Sequence, residues 1–586
     1  MLEKLPPSAE EAARQWVHAL GLALTAGDDE ALAGLFLPDS YWRNLFGISW
    51  QLATFSGNAI LRNELSRRAS EVHARDFRVN TAALAPRRAV VAGQEVIEAI
   101  ICFDTIHGPG VGAVRLICPA HASPLAWTIS TSLDFNRICD TRSRRDAPIS
   151  HARDFASPDW FDERQAEIAF EDREPDVLIV GGGHAGISAA VELKRIGLDA
   201  LVIDRAARVG DNWRLRYHGL KLHNKTPVNH LRYLPFPPTF PDYIPKDKIA
   251  NWLESYVDIM DVNFWTGTTF DGAEYDESSQ RWTAQVRKAD GATRTLRPRH
   301  IVLATSVSGT PNIPDIATLE NFAGKVLHSS QFKGGQPWAG RSVVVFGTGT
   351  SAHDICQELQ AHGAAVTMVQ RSPTMVVNVD PSAQLYDQSY LGEGPPIEIR
   401  DILNSGLPLP VIKAAHKLIT NEVKKLDAAL LTRLEKAGFR LEFGEDGTGW
   451  PLKFRTRGGG YYFNVGCSEL IADGKIRLIQ ASDIKQFTAR GLELADGSTL
   501  EADLVVLATG YKGLDHVVKS LFGEAVAARV GPIWGFNDKT QELRNMWTRT
   551  PQPGLWFTGG AFSQCRIYSR YIALQIDAIE AGKLAK

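Results

Sequence analysis

The chain carries one local pattern twice, and that repeat limits its fold more than any other feature. Each copy is a short apolar run, a glycine turn, a helix-period stretch and a second apolar run. The first copy holds Gly181-Gly182-Gly183-His184-Ala185-Gly186 after the run 176–180, and its second run ends at Asp204. The other copy extends from 341 to 369 and holds Gly347-Thr348-Gly349-Thr350-Ser351-Ala352. Units of this kind build parallel sheets with helices on their faces. Gly181 suits the tight turn, Gly183 lets backbone amides approach a pyrophosphate, and Gly186 lets the helix pack close to the strand. The helix N-terminus faces the phosphates, and Asp204 can accept hydrogen bonds from a ribose diol. An acid there disfavours a 2′-phosphate, so the first unit suits FAD, or NAD, better than NADP. A glycine turn without a ligand is the plainer reading, and the answering acid at the end of the next strand argues against it. In the second unit, Gly347, Gly349 and Ser351 lie at the turn, and Arg371-Ser372 stands where the first unit has its acid. A guanidinium can hold a ribose phosphate through two parallel bonds, which points to NADPH; an exposed surface arginine is the alternative. Two dinucleotide sites in one chain imply hydride flow between two cofactors.

With 586 residues the chain is too long for one core and calls for several domains. Residues 1–138 read as one α+β unit: helical patterns over 9–26, 28–36 and 60–72, then strand-like runs near 77–91, 94–105, 111–118 and 125–137. Residues 139–175 read as a linker with rising charge density. Residues 176–335 read as the first part of the FAD-binding domain and 336–500 as the NADPH-binding domain, with a helical insertion near 380–450 covering it. Residues 501–586 read as the C-terminal part of the FAD-binding domain. In that part the run 555–560 is a strand ending in two glycines, and a helix is expected from about Ser569.

The most specific motif lies between the two glycine turns. Phe322-Ala323-Gly324-Lys325-Val326-Leu327-His328-Ser329-Ser330-Gln331-Phe332 fits F-x-G-x-x-x-H-x-x-x-[YFW]. With Asn212-Trp213, Leu220-Lys221-Leu222-His223, Leu234-Pro235-Phe236-Pro237 and Ala508-Thr509-Gly510-Tyr511, it resembles the class B flavin-dependent monooxygenases over about 170–586. The front unit, with "AARQWVHALGLALTAGDDEALAGLF", Trp42 and Gly57, resembles the SnoaL-like cone fold, an arrangement similar to the bacterial type II flavin-containing monooxygenases. The resemblance implies an α/β chain with two Rossmann-type domains, for FAD and NADPH, behind an α+β SnoaL-like domain. It implies that NADPH reduces FAD and that a C4a-(hydro)peroxyflavin passes one oxygen atom to an amine, a sulfide or a ketone. It also implies cofactor contacts at Trp213, His223 and Gln564, and chemistry near Asn224 or His223. His328 reads more as a coupler between domains than as an acid or base. There are departures: Ser306 stands where glycine is usual, Gly559-Gly560 lacks the usual acid, and Phe332-Lys333 departs from the Baeyer–Villiger ending. An NADPH oxidase releasing peroxide and a non-catalytic FAD-binding redox sensor are the competing readings.

Composition removes other classes. Lys plus Arg is 64 and Asp plus Glu is 67, giving a net charge of −3, so nucleic acid has no electrostatic footprint to meet. The six cysteines are never closer than 16 positions, which excludes a CxxC redox pair and with it a disulfide reductase, and suits a cytoplasmic setting. No signal peptide or membrane span is expected. His218, His223 and His230 lack the spacing of a metal cluster. The expected partners are a small-molecule substrate and dioxygen, and a homodimer is left open.

Overall fold

Ser8 and Gly27 bracket the first helix of the computed structural model, which describes residues 7–119, 123–143 and 155–585. The Ser8 hydroxyl accepts from the Glu11 amide, the Glu11 carboxylate accepts from the Ser8 amide, and Gly27 closes the C-terminus in a left-handed conformation. The helix spans Ala9–Ala26 as its period predicts. The second is shorter than expected, Asp29–Ala33, because the apolar pair Leu35-Phe36 leads into a strand instead. Asn58–Glu71 is the third. The sheet has seven strands, where four runs were expected. Phe36–Leu45 and Leu52–Ser56 add two, and the 77–91 run divides into Arg75–Val79 and Arg87–Val91. Trp16, Leu20, Trp42, Leu61, Ile101 and Ile129 bury the helices against this sheet.

The expected linker is structured at its C-terminal end. Helix Trp160–Ala169 is capped by Asp159, and Phe170 is fully buried edge-on to Trp265. Residues 144–154 of the expected linker lie outside the described residues.

Two five-stranded parallel sheets follow. The first runs Phe264–Trp265, Ala200–Ile203, Val177–Val180, His300–Leu303, Leu555–Phe557, with helix His184–Arg195 after its glycine turn. The second runs Lys325–His328, Leu504–Leu507, Ser342–Phe346, Ala365–Gln370, Arg477–Gln480, with helix Thr350–Ala361 after its glycine turn. Both domain boundaries therefore move. Lys325–His328 lies before the expected break at 335/336 and Leu504–Leu507 after the one at 500/501, yet both strands are paired within the second sheet. Leu504–Leu507 is buried on both faces between two neighbours, so it cannot belong to the first domain. The chain crosses between domains at Thr310–Pro311 and returns at Tyr511–Lys512, and these two segments pair with each other.

The insertion is helical, with Ile397–Ser405, Leu409–Leu426, Ala428–Lys436 and Trp450–Arg457. It does more than cover the nicotinamide domain. Leu403 packs on Ile100 and Ala113, and Val411 on Val96 and Trp127, so it also joins the N-terminal sheet to the rest. The last helix is Phe562–Glu580, starting seven residues before the expected Ser569, and it packs along His184–Arg195. Its first turn lacks an obvious apolar spacing because it faces a cleft.

Candidate functional site

Each glycine turn is held by the strand that crosses beside it. Gly181 has φ +109°, and a Cβ there would lie 2.6 Å from the Ala304 carbonyl oxygen. Gly347 has φ +121°, and a Cβ would lie 2.4 Å from the Ala508 carbonyl oxygen. Both are positions for glycine alone. A Cβ on Gly186 would meet the Gly181 carbonyl oxygen at 2.0 Å, which is the close helix–strand packing the motif predicts. Gly183 differs: its backbone is extended, and its nearest obstacle is the Asn212 side chain at 3.1 Å. Gly349 is its counterpart, with only the Tyr461 carbonyl oxygen at 3.9 Å.

The first turn opens into a cleft of 1190 Å3. Gly181, Gly183, Asp204, Trp213, His223, Asn224 and Gln564 all line it. The Asp204 carboxylate accepts from the Gly182 amide at 2.6 Å and the Ala206 amide at 2.8 Å, which fixes it at the strand end. Gln564 folds back to accept from the Ala561 amide at 3.0 Å and closes the N-terminus of the last helix. Trp213 packs beside His184 and Phe562. Three buried polar atoms on this wall have no hydrogen-bond partner: Trp213 Nε1, His184 Nδ1 and Thr305 Oγ1. Such groups call for a polar ligand. Together with the open cradle at Gly183 they fit a dinucleotide carrying a flavin.

His223 is half-buried, stacked on Phe463 at 4.6 Å, and burial lowers its pKa to about 4, so the imidazole is neutral. Asn224 donates to Asp387 Oδ2 at 2.5 Å. Burial outweighs that bond and raises the Asp387 carboxyl to about 6. His328, read above more as a coupler between domains than as an acid or base, does not line the cleft. Its Nδ1 meets Ser330 Oγ at 2.9 Å and its Nε2 the Gly510 carbonyl oxygen at 3.0 Å, on the returning crossing, so neither ring nitrogen is open to a substrate.

Gly347, Gly349 and Ser351 form a second locus outside this cleft. Arg371 is exposed beyond the strand end, and its guanidinium has no bond or ion pair among the described residues. Arg440, which the sequence did not single out, donates to the Arg371 carbonyl oxygen at 2.6 Å and brings a second guanidinium there. No sequence signal links positions 69 residues apart on different elements. Among the described residues no cluster of three or more His, Cys, Asp or Glu could hold a metal, and no helix is long and apolar enough to cross a membrane. No disulfide joins the described cysteines. Ser306 adopts φ +71°, the conformation for which a glycine is usual.

Sequence reading also missed what the N-terminal unit contributes. Arg43 and Leu52 line the cleft, and Arg43 forms a bidentate pair with Glu542, at 2.8 and 2.6 Å.

Two Rossmann-type sheets, each with its own glycine turn, define a flavoprotein that also takes a nicotinamide coenzyme. Residues 178–389 match the family described as pyridine nucleotide-disulphide oxidoreductase. The chain is 30% identical over 358 residues to indole-3-pyruvate monooxygenase YUCCA1 of Oryza sativa subsp. japonica, covering 60% of this chain and 80% of that one. It is 31% identical over 342 residues to the probable indole-3-pyruvate monooxygenase YUCCA3 of Arabidopsis thaliana, covering 57% and 72%. In fold it is similar to an NADP+-bound mutant cyclohexanone monooxygenase from Rhodococcus sp. Phi1, with a TM-score of 0.53 and 19% identity over 70% of this chain and 86% of that one. The chain belongs to the class B flavin-dependent monooxygenases. It is an FAD- and NADPH-dependent monooxygenase that transfers one oxygen atom from dioxygen to a substrate.

Proposed function

We propose that the cleft behind the first glycine turn holds FAD and the substrate, that the second turn with Arg371 holds NADPH, and that the oxygen acceptor is a small sulfide, amine or ketone. The observation that carries this reading is the meeting, in one cleft, of the open Gly183 cradle with the unpartnered Trp213, His184 and Thr305 polar atoms. Bound FAD, once reduced by NADPH, supplies the activation of dioxygen. The chain's own residues do the rest. The Gly181–Gly186 turn and the helix it opens bind the phosphates, and Asp204 orients a ribose. Asn224 is held by Asp387 through one N–H, which leaves its oxygen and its other N–H for the cleft. His223 stays neutral and adds no charge beside it. The rings of Trp450, Tyr461 and Phe463 keep that end of the cleft apolar and restrict water.

The N-terminal α+β unit reads as a SnoaL-like cone that serves as a wall of the cleft through Arg43 and Leu52 rather than as a second catalytic centre. The wide spacing of the six cysteines suits work in the cytoplasm. The deciding experiment measures NADPH consumption, peroxide release and incorporation of labelled oxygen across sulfides, amines and ketones. Labelled product with less than one peroxide per NADPH is expected. One peroxide per NADPH with every substrate would mark an oxidase instead.

Arg371 sets the coenzyme in this reading. Arg371→Ala removes a charge-assisted contact, so KM for NADPH should rise roughly 10- to 100-fold while KM for NADH changes little. Steady-state kinetics with both coenzymes check this, and equal effects would remove Arg371 from the 2′-phosphate.

A further inference from the structure

Arg455 is a cation with no bonded counter-ion in a cleft whose nearby acids are bonded elsewhere. It lies on helix Trp450–Arg457 and lines the cleft, half-buried. Among the described residues its guanidinium makes no hydrogen bond, ion pair or ring contact. The nearby acids cannot serve it. Glu542 is held by Arg43 at 2.6 and 2.8 Å. Asp401 is held by Arg566 through two bonds of 2.8 Å. Asp387 accepts from Asn224 and makes no ion pair with Arg455. Burial lowers the Arg455 pKa and the like charge of Arg43 adds to that effect, while Tyr568, Glu542 and Tyr390 oppose it without reversing it. A guanidinium stays charged at any working pH, so the cleft holds a cation that Glu542 and Asp387 attract from a distance but that no carboxylate bonds.

Two further polar atoms near it lack partners. Trp450 Nε1 can only donate, and it is buried without an acceptor. His416 Nδ1 is unpartnered too, and burial, helped by Arg455, lowers the His416 pKa to about 3, so it adds no second charge. Around them stand flat apolar surfaces. Trp450 meets Phe463 edge-on at 4.9 Å and Tyr386 at 5.9 Å, and Tyr386 meets His416 at 5.3 Å. Rings alone would also suit an ammonium ion, but the free guanidinium repels one.

Resting on the monooxygenase reading of this cleft, we infer that the substrate is an organic carboxylate with a flat apolar body, its carboxylate anchored by Arg455 and its body lying against the Tyr386–Trp450–Phe463 rings. The fork of the guanidinium matches the two carboxylate oxygens, and Trp450 Nε1–H can donate to one of them. Among the acceptors proposed above, this selects a sulfide or a ketone that also bears an acid group, and it turns cationic amines away.

The test uses FAD-loaded protein and a ligand pair that cannot be oxygenated there, 3-phenylpropanoate and 3-phenylpropanamide, titrated by flavin absorbance and tryptophan fluorescence. Wild type should bind the acid roughly 10- to 100-fold more tightly than the amide. Arg455→Met should abolish that preference without changing amide affinity, and Arg455→Lys should restore part of it. Retained flavin in each variant shows that it has folded. Equal binding of acid and amide by wild type, no binding of the acid, or full acid affinity in Arg455→Met overturns the anchor. Weaker NADP+ binding in Arg455→Met with acid affinity intact also overturns it and gives the guanidinium to the coenzyme. Labelled-oxygen transfer to methyl phenyl sulfide tests the reaction class separately. Transfer without acid preference removes the anchor alone, and acid preference without transfer to the sulfide supports the anchor and removes sulfides from the acceptors.

Discussion

Gly183→Val should yield a folded, soluble chain that purifies with less than about a tenth of the wild-type flavin, because its side chain would fill the space a pyrophosphate needs. Three of the glycines of the first turn separate this effect from misfolding. At Gly181 a side chain would meet the Ala304 carbonyl at 2.6 Å in a left-handed backbone, and at Gly186 it would meet the Gly181 carbonyl at 2.0 Å, so substitution at either damages the fold itself. Gly183 has φ −78° and ψ −179°, a conformation valine adopts freely, and only the movable Asn212 side chain stands within 3.1 Å. The added methyls then project into the cleft. The ratio of flavin to protein absorbance gives the occupancy. The melting temperature of the variant should match that of wild type stripped of flavin, since a ligand that binds only the folded state raises stability by mass action. A variant that retains full flavin would place the cofactor elsewhere.

The glycine turns were legible because their meaning is local. Each needs only a strand before it, a helix after it and small residues at fixed spacing, and the structure realises both. The helix Ala9–Ala26 was legible for the same reason, with its cap, its period and its terminating glycine contiguous in sequence. What escaped was set by pairing at a distance. Leu504–Leu507 reads as an apolar strand in any domain, and only its neighbours Lys325–His328 and Ser342–Phe346 assign it to the second sheet. His328 reads as a coupler between domains, but nothing local shows that its ring meets the carbonyl of Gly510, 182 residues on. Arg455 stands in a run, Lys453-Phe454-Arg455-Thr456-Arg457, that reads as an ordinary charged helix face. Its neighbours there differ: Lys453 meets Glu442 and Arg457 meets Glu445, and only Arg455 turns to the cleft. Arg43 gives no sign in sequence of an acid 499 positions away.

That last pair carries the second large effect. Glu542→Leu should lower stability by about 3–5 kcal/mol, because it leaves the Arg43 guanidinium buried without its counter-ion. Arg43 and Glu542 are 7% and 6% exposed, so solvent cannot replace the lost partner. Burial opposes the charge on Arg43, and the Glu542 carboxylate more than offsets it, raising its pKa. The remaining bonds are to neutral groups: the Ser405 carbonyl at 2.6 Å, the Leu407 carbonyl at 3.3 Å and the Tyr568 hydroxyl at 3.1 Å. They satisfy N–H groups without balancing the charge, and Arg455 repels it from across the cleft. These contacts also join four parts of the molecule: the N-terminal sheet, the end of helix Ile397–Ser405, the segment before Leu555–Phe557 and the last helix. The Thr54 amide, bonded to the Thr540 carbonyl at 2.9 Å, runs the same join beside it. Loss of the pair should therefore loosen the N-terminal unit from the cleft wall. Arg43→Met combined with Glu542→Leu removes both charges and should recover most of the loss, since apolar residues of similar volume commonly replace a buried pair at little cost. Urea unfolding of the two single variants and the double variant gives the coupling energy. A Glu542→Leu protein as stable as wild type, or a double variant no better than the single one, would show that the pair does not hold the N-terminal unit to the cleft.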